Sequence, residues 1–346
     1  MSITTVTGIG LGYPITGFIS QVGGVEGAYW FGAAVGLLAL IVAVFVVPRA
    51  RVRTHQPLDV VGAVLLGVAL FALLLGVSQG ESWGWGSIRV IALIAGSIVV
   101  AAVWIGWELR IDHPLVDLRL VRNRSVLTAD IAALLAGVGM YLLLSLAVRF
   151  VEAPPESGYG FGSSGVIAGL VLVPFSVGSF LATRMAPRLA ERTSHRAVLP
   201  IAAVILIVSM TVFASARGAM WEILVVMALS GIGVGLIFAV VPGMLLRAVD
   251  VSQTASAMGF NQVLRYIGYS VGSALAGLIL ELHTEPGSTL PSGGGYTMSG
   301  IVSAGMWIAM LVVVLVLPGR EKRVDDTRAD EVLMAEESLA DAEAPA

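Results

Sequence analysis

The chain has 346 residues, of which 57% are hydrophobic and 12% charged, with a formal net charge of −3 and a mean hydropathy of +0.92. Soluble domains carry roughly a quarter charged residues, so these values exclude a water-soluble globule. Cysteine is absent, which removes disulfides, thiolate catalysis and Cys-ligated metals. The histidines, His55, His113, His195 and His283, fall in connecting stretches without ligand spacing, so no metal, cofactor or enzymatic centre is expected.

Crossing about 30 Å of hydrocarbon takes about 20 apolar residues in a helix. Continuous apolar runs bounded by charge or Pro/Gly clusters predict spans at 3 to 20, 27 to 47, 58 to 77, 88 to 107, 126 to 148, 162 to 183, 197 to 216, 220 to 243, 256 to 280 and 299 to 317. The first run starts almost at Met1 without a basic leader or a small-residue cleavage site, so a signal peptide is not expected. The pattern predicts an all-α polytopic membrane protein of about ten transmembrane helices.

Orientation follows from Arg and Lys, which cytoplasmic loops retain during insertion. Alternate connections hold Arg49, Arg51 and Arg53; Arg110, Arg119, Arg122 and Arg124; Arg184, Arg188, Arg192 and Arg196; Arg247; and Arg320, Lys322, Arg323 and Arg328, sixteen in all. The opposite set holds only Arg89, Arg149 and Arg217. This asymmetry predicts a multi-pass protein of the cell (inner) membrane with both termini cytoplasmic. Residues 283 to 298 read as a flexible external loop. The segment after Pro318, with nine acidic and four basic residues, reads as a disordered tail.

Small residues let helices approach where lipid gives no hydrophobic drive for association. Gly8, Gly10 and Gly12, then Gly231, Gly233 and Gly235, then Gly268 and Gly272 form such stretches, and Pro14, Pro174, Pro200 and Pro242 are expected to bend their spans. Gly268-Tyr-Ser-Val-Gly272 matches a serine-hydrolase pattern, but it lies in an apolar run with no membrane-depth histidine and is read as chance. The glycines at 8, 10 and 12 are read as packing, since no strand precedes them to make a dinucleotide loop.

Ionisable groups within spans cost about 2.5–3.5 kcal/mol on insertion scales and usually face a cavity or a partner. Two qualify. Asp130 is the deep acid, with two readings open: a proton carrier, or an acid at a helix N-terminus reaching for the aqueous surface. Arg265 shares a polar stretch with Asn261 and Gln262, Asn261 lying one turn before it on the same face. These three are candidates for substrate or gate contact, unless the helix simply enters the bilayer after Arg265.

These residues resemble the major facilitator superfamily, in particular its fourteen-helix branch of drug:proton antiporters. Gly8-Ile-Gly-Leu-Gly12-Tyr-Pro14-Ile-Thr-Gly17 is similar to the antiporter motif of the fifth helix, with Tyr13 and Phe18 standing where that motif has glycine. Leu189-Ala-Glu191-Arg192-Thr-Ser-His-Arg196 is similar to the acidic–basic loop after the second helix of each half, with Glu191 for Asp and Ser194 for Gly. His113-Pro-Leu-Val-Asp117-Leu-Arg-Leu-Val-Arg122-Asn-Arg-Ser125 is similar to the stretch just before the second half.

The resemblance implies a division into 1–48, the last two helices of an N-terminal half; 49–124, a cytoplasmic loop and an extra central helix pair; 125–318, a six-helix C-terminal half; and 319–346, the acidic tail. It implies that four helices of such a protein are absent here, so that those helices or an oligomeric partner would cover exposed faces. The implied function is proton-coupled efflux of drug-like or amphipathic small molecules by alternating access. The implied partners are substrate, protons and the lipid bilayer, without nucleic acid. A non-transporting fragment or scaffold is the alternative that the resemblance leaves open.

Overall fold

The computed structural model describes residues 2–46, 59–111, 114–194, 197–250, 253–285, 287–288 and 290–317, with side-chain environments in the first helix from Ile15 onward and none for Glu81. The connection at 49 to 56, His113, His195, Arg196 and the acidic tail lie outside the described residues. Gly8 and Pro14 belong to a described helix, but their packing does not.

Among the described residues the chain is helical without strands: α1 (Ser2–Val46), α2 (Val60–Ser78), α3 (Gly80–Trp83), α4 (Ile88–Glu108), α5 (Arg124–Glu152), α6 (Gly165–Leu170), α7 (Val173–Arg192), α8 (Val198–Ser215), α9 (Met220–Ala248), α10 (Thr254–Leu282) and α11 (Gly293–Val316). Nine of these, with α6 and α7 taken together, are long and apolar enough to cross a membrane.

Three expectations change in detail. The first two predicted spans run together as α1, and the boundary between them is a backbone break at Gly24, with φ 68° and ψ −178°. Positive φ is open to glycine without Cβ strain, so the chain changes direction there without a loop. The span expected at 162 to 183 runs from Gly165 to Arg192, interrupted before Val173 because Pro174 has no amide hydrogen and crowds the carbonyl four residues back.

The third concerns residues 293 to 298, which are the first turns of α11 and not loop. Tyr296 explains this: it is buried, with ring centroids 5.1 Å from both Phe150 and Tyr159, and an aromatic side chain offers enough area to hold three glycines in a helix.

α5 and α9 are the most buried spans and form the centre of the bundle. α10 and α11 pack on α5, α7 and α8 pack on α9, and α2 pairs with α4. Glycines set the tightest contacts. A Cβ added at Gly137, Gly268 or Gly272 would strike backbone across the α5–α10 seam, and one at Gly178, Gly231 or Gly235 would do so across α7–α9. Gly17 places α1 against α6, where an added Cβ would lie 3.4 Å from the Gly165 carbonyl oxygen.

Each end of the bundle is tied. At the end carrying Arg124, Arg192 and Arg247, Asn123 Nδ2 donates to the Ala248 carbonyl at 3.1 Å, Ser256 Oγ to the Leu115 carbonyl at 2.7 Å, and Gln253 Nε2 to Asp117 at 3.1 Å. At the far end Arg217 donates to Thr297 Oγ1 at 2.7 Å and to the Gly293 carbonyl at 3.3 Å, while its guanidinium rests on the rings of Phe150 and Phe213.

Candidate functional site

The site is built on the α5–α10 seam. Asn123 caps α5 by accepting from the Ser125 amide at 2.9 Å, which fixes where the helix begins and so which residues face α10. Asp130 and Gly137 lie seven residues apart, two turns along one face, and Asn261 and Gly268 have the same spacing on α10. The two helices run parallel, so the glycine contact at 137 and 268 brings Asp130 level with Asn261. Asn261 Nδ2 donates to Asp130 Oδ1 at 2.9 Å and to the Ala129 carbonyl at 3.2 Å.

Asp130 is 4% exposed and Asn261 8%. The acid therefore faces the bundle interior and does not reach for the aqueous surface. An amide is a neutral donor, so the carboxylate is held in place without an opposing charge, and no cation contacts it among the described residues. Such a group can gain or lose a proton without breaking an ion pair.

Arg265 stands at the twelfth residue of α10, about 17 Å along the helix axis. Its guanidinium lies 4.5 Å from the centroid of Phe238 on α9 and donates to Gln262 Oε1. With Ala133, Val241 and Pro242 these residues line a cavity of about 370 Å³ between α5, α9 and α10. Further along the seam Tyr141 and Tyr269 stack with centroids 4.5 Å apart, beside a second cavity of about 740 Å³ that reaches to Leu70 and Leu74 on α2.

The structure thus joins Asp130 to Asn261 and sets Asn261, Gln262 and Arg265 on the wall of one cavity, which Asp130 itself does not line. It sets the other expected groups apart. Glu191 and Arg192 are exposed on the last turn of α7, and Gly12 and Gly17 belong to α1. Among the described residues no cluster of three or more His, Asp or Glu could hold a metal.

Sequence reasoning missed a second polar centre, at the base of α2 and α4. Asp59 caps α2 by accepting from the Gly62 amide at 2.9 Å and accepts from Trp107 Nε1 at 3.2 Å, while Glu108 accepts from Trp104 Nε1 at 3.0 Å. Both acids are buried, 7% and 1% exposed. The four-residue step from Trp104 to Glu108 is the signal that was available, but Asp59 is the second residue of the predicted run at 58 to 77 and Glu108 sits one residue past the run that ends at 107.

Residues 130–340 match the family profile described as Major Facilitator Superfamily. The chain belongs to the major facilitator superfamily. Among curated relatives, multidrug resistance protein 3 of Bacillus subtilis (strain 168) is 26% identical over 285 residues, covering 80% of this chain and 53% of that protein. The probable actinorhodin transporter of Streptomyces coelicolor is 26% identical over 287 residues, covering 78% of this chain and 48% of its own length. The chain spans about half the length of the curated relatives it matches. The crystal structure of nucleoside transporter NupG aligns over 91% of this chain and 82% of its own at 15% identity, with a TM-score of 0.48.

For this superfamily member the matched segment begins at Asp130 itself. The site described above therefore lies within the part of the chain that carries the family likeness.

Proposed function

We propose that this chain forms part of a secondary active transporter that exports small amphipathic or drug-like molecules in exchange for protons by alternating access. The observation that carries the reading is Asp130, an acid buried within a membrane-length helix, held by a neutral amide and set beside a cavity-lining stretch of α10. Asp130 is the proton carrier in this reading, and Asn261, Gln262 and Arg265 contact substrate or gate. The names of the relatives, a multidrug resistance protein and a probable actinorhodin transporter, support transport of drug-like molecules, and the efflux direction follows the family resemblance.

The division into a terminal helix pair (1–48), a central pair (within 49–124), a six-helix half (125–318) and a tail belongs to the same proposal. So does the orientation, with the Arg-rich end in the cytoplasm and the protein in the cell membrane, as the charge asymmetry of sixteen against three supports. The rocking of two helix sets about a midplane site would expose the cavity to each side in turn.

The test is transport by purified protein in liposomes under an imposed pH gradient, with N-phenyl-1-naphthylamine as the fluorescent probe. Gradient-driven movement is expected from the unaltered chain and not from Asp130→Asn, which keeps the shape and the Asn261 contact but cannot release a proton. Undiminished gradient dependence in Asp130→Asn removes the acid from the mechanism. Failure of the unaltered chain to move the probe removes the reading that this chain transports by itself.

A further inference from the structure

Arg265 places a cation twelve residues into α10. Among the described residues no carboxylate pairs with it; Asp130, the nearby acid on α5, is engaged by Asn261. Its terminal nitrogen donates to Gln262, its ring partner is Phe238, and its Nε is buried with no hydrogen-bond partner. A guanidinium has five N–H donors and no acceptor, so these contacts leave donors unused.

The cavity beside it has the size of a small-molecule site, about 370 Å³. Its walls are apolar where α5 and α9 contribute Ala133, Val241 and Pro242, flat where Phe238 lies, and polar where α10 presents Arg265. The charge it offers is positive. A cationic amphipath entering here would meet Arg265 at close range in a medium that screens poorly, whereas a carboxylate would satisfy two of its donors at once.

We propose that this cavity takes the acidic end of planar aromatic amphipaths, with the Arg265 guanidinium holding the carboxylate and the Phe238 side of the cavity receiving the ring. That the ligand is also cargo rests on the transport reading above; the preference for an anion rests on the cavity alone. Gln262 acts as a positioning residue, since its side-chain oxygen holds the guanidinium.

The probes are 2-naphthoate, 2-naphthalenemethanol and 2-naphthylmethylammonium, three molecules of nearly the same shape with negative, zero and positive charge. They are titrated against the full chain in phosphatidylcholine nanodiscs, with binding read from naphthalene fluorescence. Naphthoate is expected to bind about tenfold or more tighter than the alcohol, with the ammonium compound weakest. Arg265→Gln is expected to bring acid and alcohol level, and Arg265→Lys to restore part of the preference.

The ranking on the unaltered chain decides the matter even where a variant fails to fold. Equal binding of acid and alcohol, preference for the ammonium compound, absence of saturable binding by any probe, or a preference that survives Arg265→Gln each overturns the proposal. In liposomes, movement of the alcohol with no acid preference leaves the transporter reading intact and removes this one. Tight naphthoate binding with no movement of any probe does the reverse.

Discussion

Asn261 on α10 donates to the carboxylate of Asp130 on α5 across 2.9 Å, at a level of the bundle where both side chains are shut away from solvent. A neutral donor meeting an acid is a stable arrangement in either protonation state, since the acid accepts whether or not the other oxygen carries a proton.

Asn261→Leu leaves that acid without its donor. We expect a loss of about 1–2 kcal/mol in stability, because a buried acceptor is stranded. The double variant with Asp130→Asn should recover part of the loss, because no charge remains to be stranded. Thermal midpoints of the two single variants and the double, measured in detergent, form the cycle; strictly additive changes mean the two residues are not coupled.

The α5–α10 seam tolerates no side chain at its glycines. Gly272→Leu places atoms where the Val138 carbonyl stands and is expected to cost about 1–3 kcal/mol, as overpacked cores do. Gly259→Leu is the comparison on the same helix: nothing lies within 4 Å of a Cβ there, so a change within about 0.5 kcal/mol is expected. Equal losses at both positions would show that the seam is not where α10 is held.

Asp59 and Glu108 converge on Gly62, where an added Cβ would meet both carboxylates. Like charges placed together disfavour each other. Glu108→Gln keeps an acceptor for Trp104 while removing one charge, so a higher thermal midpoint is expected. Asp59→Ala removes the α2 cap and the partner of Trp107, with an expected loss of about 0.5–2 kcal/mol. A lower midpoint for Glu108→Gln would mean that the Val116 amide, which donates to Glu108 Oε2 at 3.4 Å, loses more than the removed charge relieves.

Tyr159 lies outside the spans, and burial pushes its phenol above the ordinary tyrosine value. Its hydroxyl donates to the Pro291 carbonyl, joining the α5–α6 connection to the α10–α11 connection. A phenol with a raised folded value stabilises the fold below the unfolded value of about 10, and that contribution is lost as pH rises through the folded one. The unaltered chain should therefore melt above Tyr159→Phe at pH 8, with the gap closing above about pH 10. A gap independent of pH would place the effect in packing alone.

The spans and their alternation could be read directly from hydropathy and arginine, because bilayer thickness leaves few ways to arrange apolar segments of that length. Asp130, Asn261 and Arg265 stood out for the same reason, as polar groups where hydrocarbon is expected. Which of them would touch was not legible. The 130–261 contact depends on the parallel register of α5 and α10, and that register is set by glycines at 137 and 268 whose pairing no single-helix pattern reveals. Asp59 and Glu108 escaped because each sits at the margin of an apolar run, Asp59 at the start of 58 to 77 and Glu108 one residue after 107, and Tyr296 because three glycines before it imitate a loop.

The short stretch from Leu115 to Asn123 grips α10 through the Leu115 carbonyl and Asp117, and α9 through the Asn123 amide, while Asn123 also begins α5. Three helix ends thus share one piece of gearing. A tilt of α10 would load the Ser256–Leu115 and Gln253–Asp117 bonds and, through Asn123, bear on α9 and the first turn of α5.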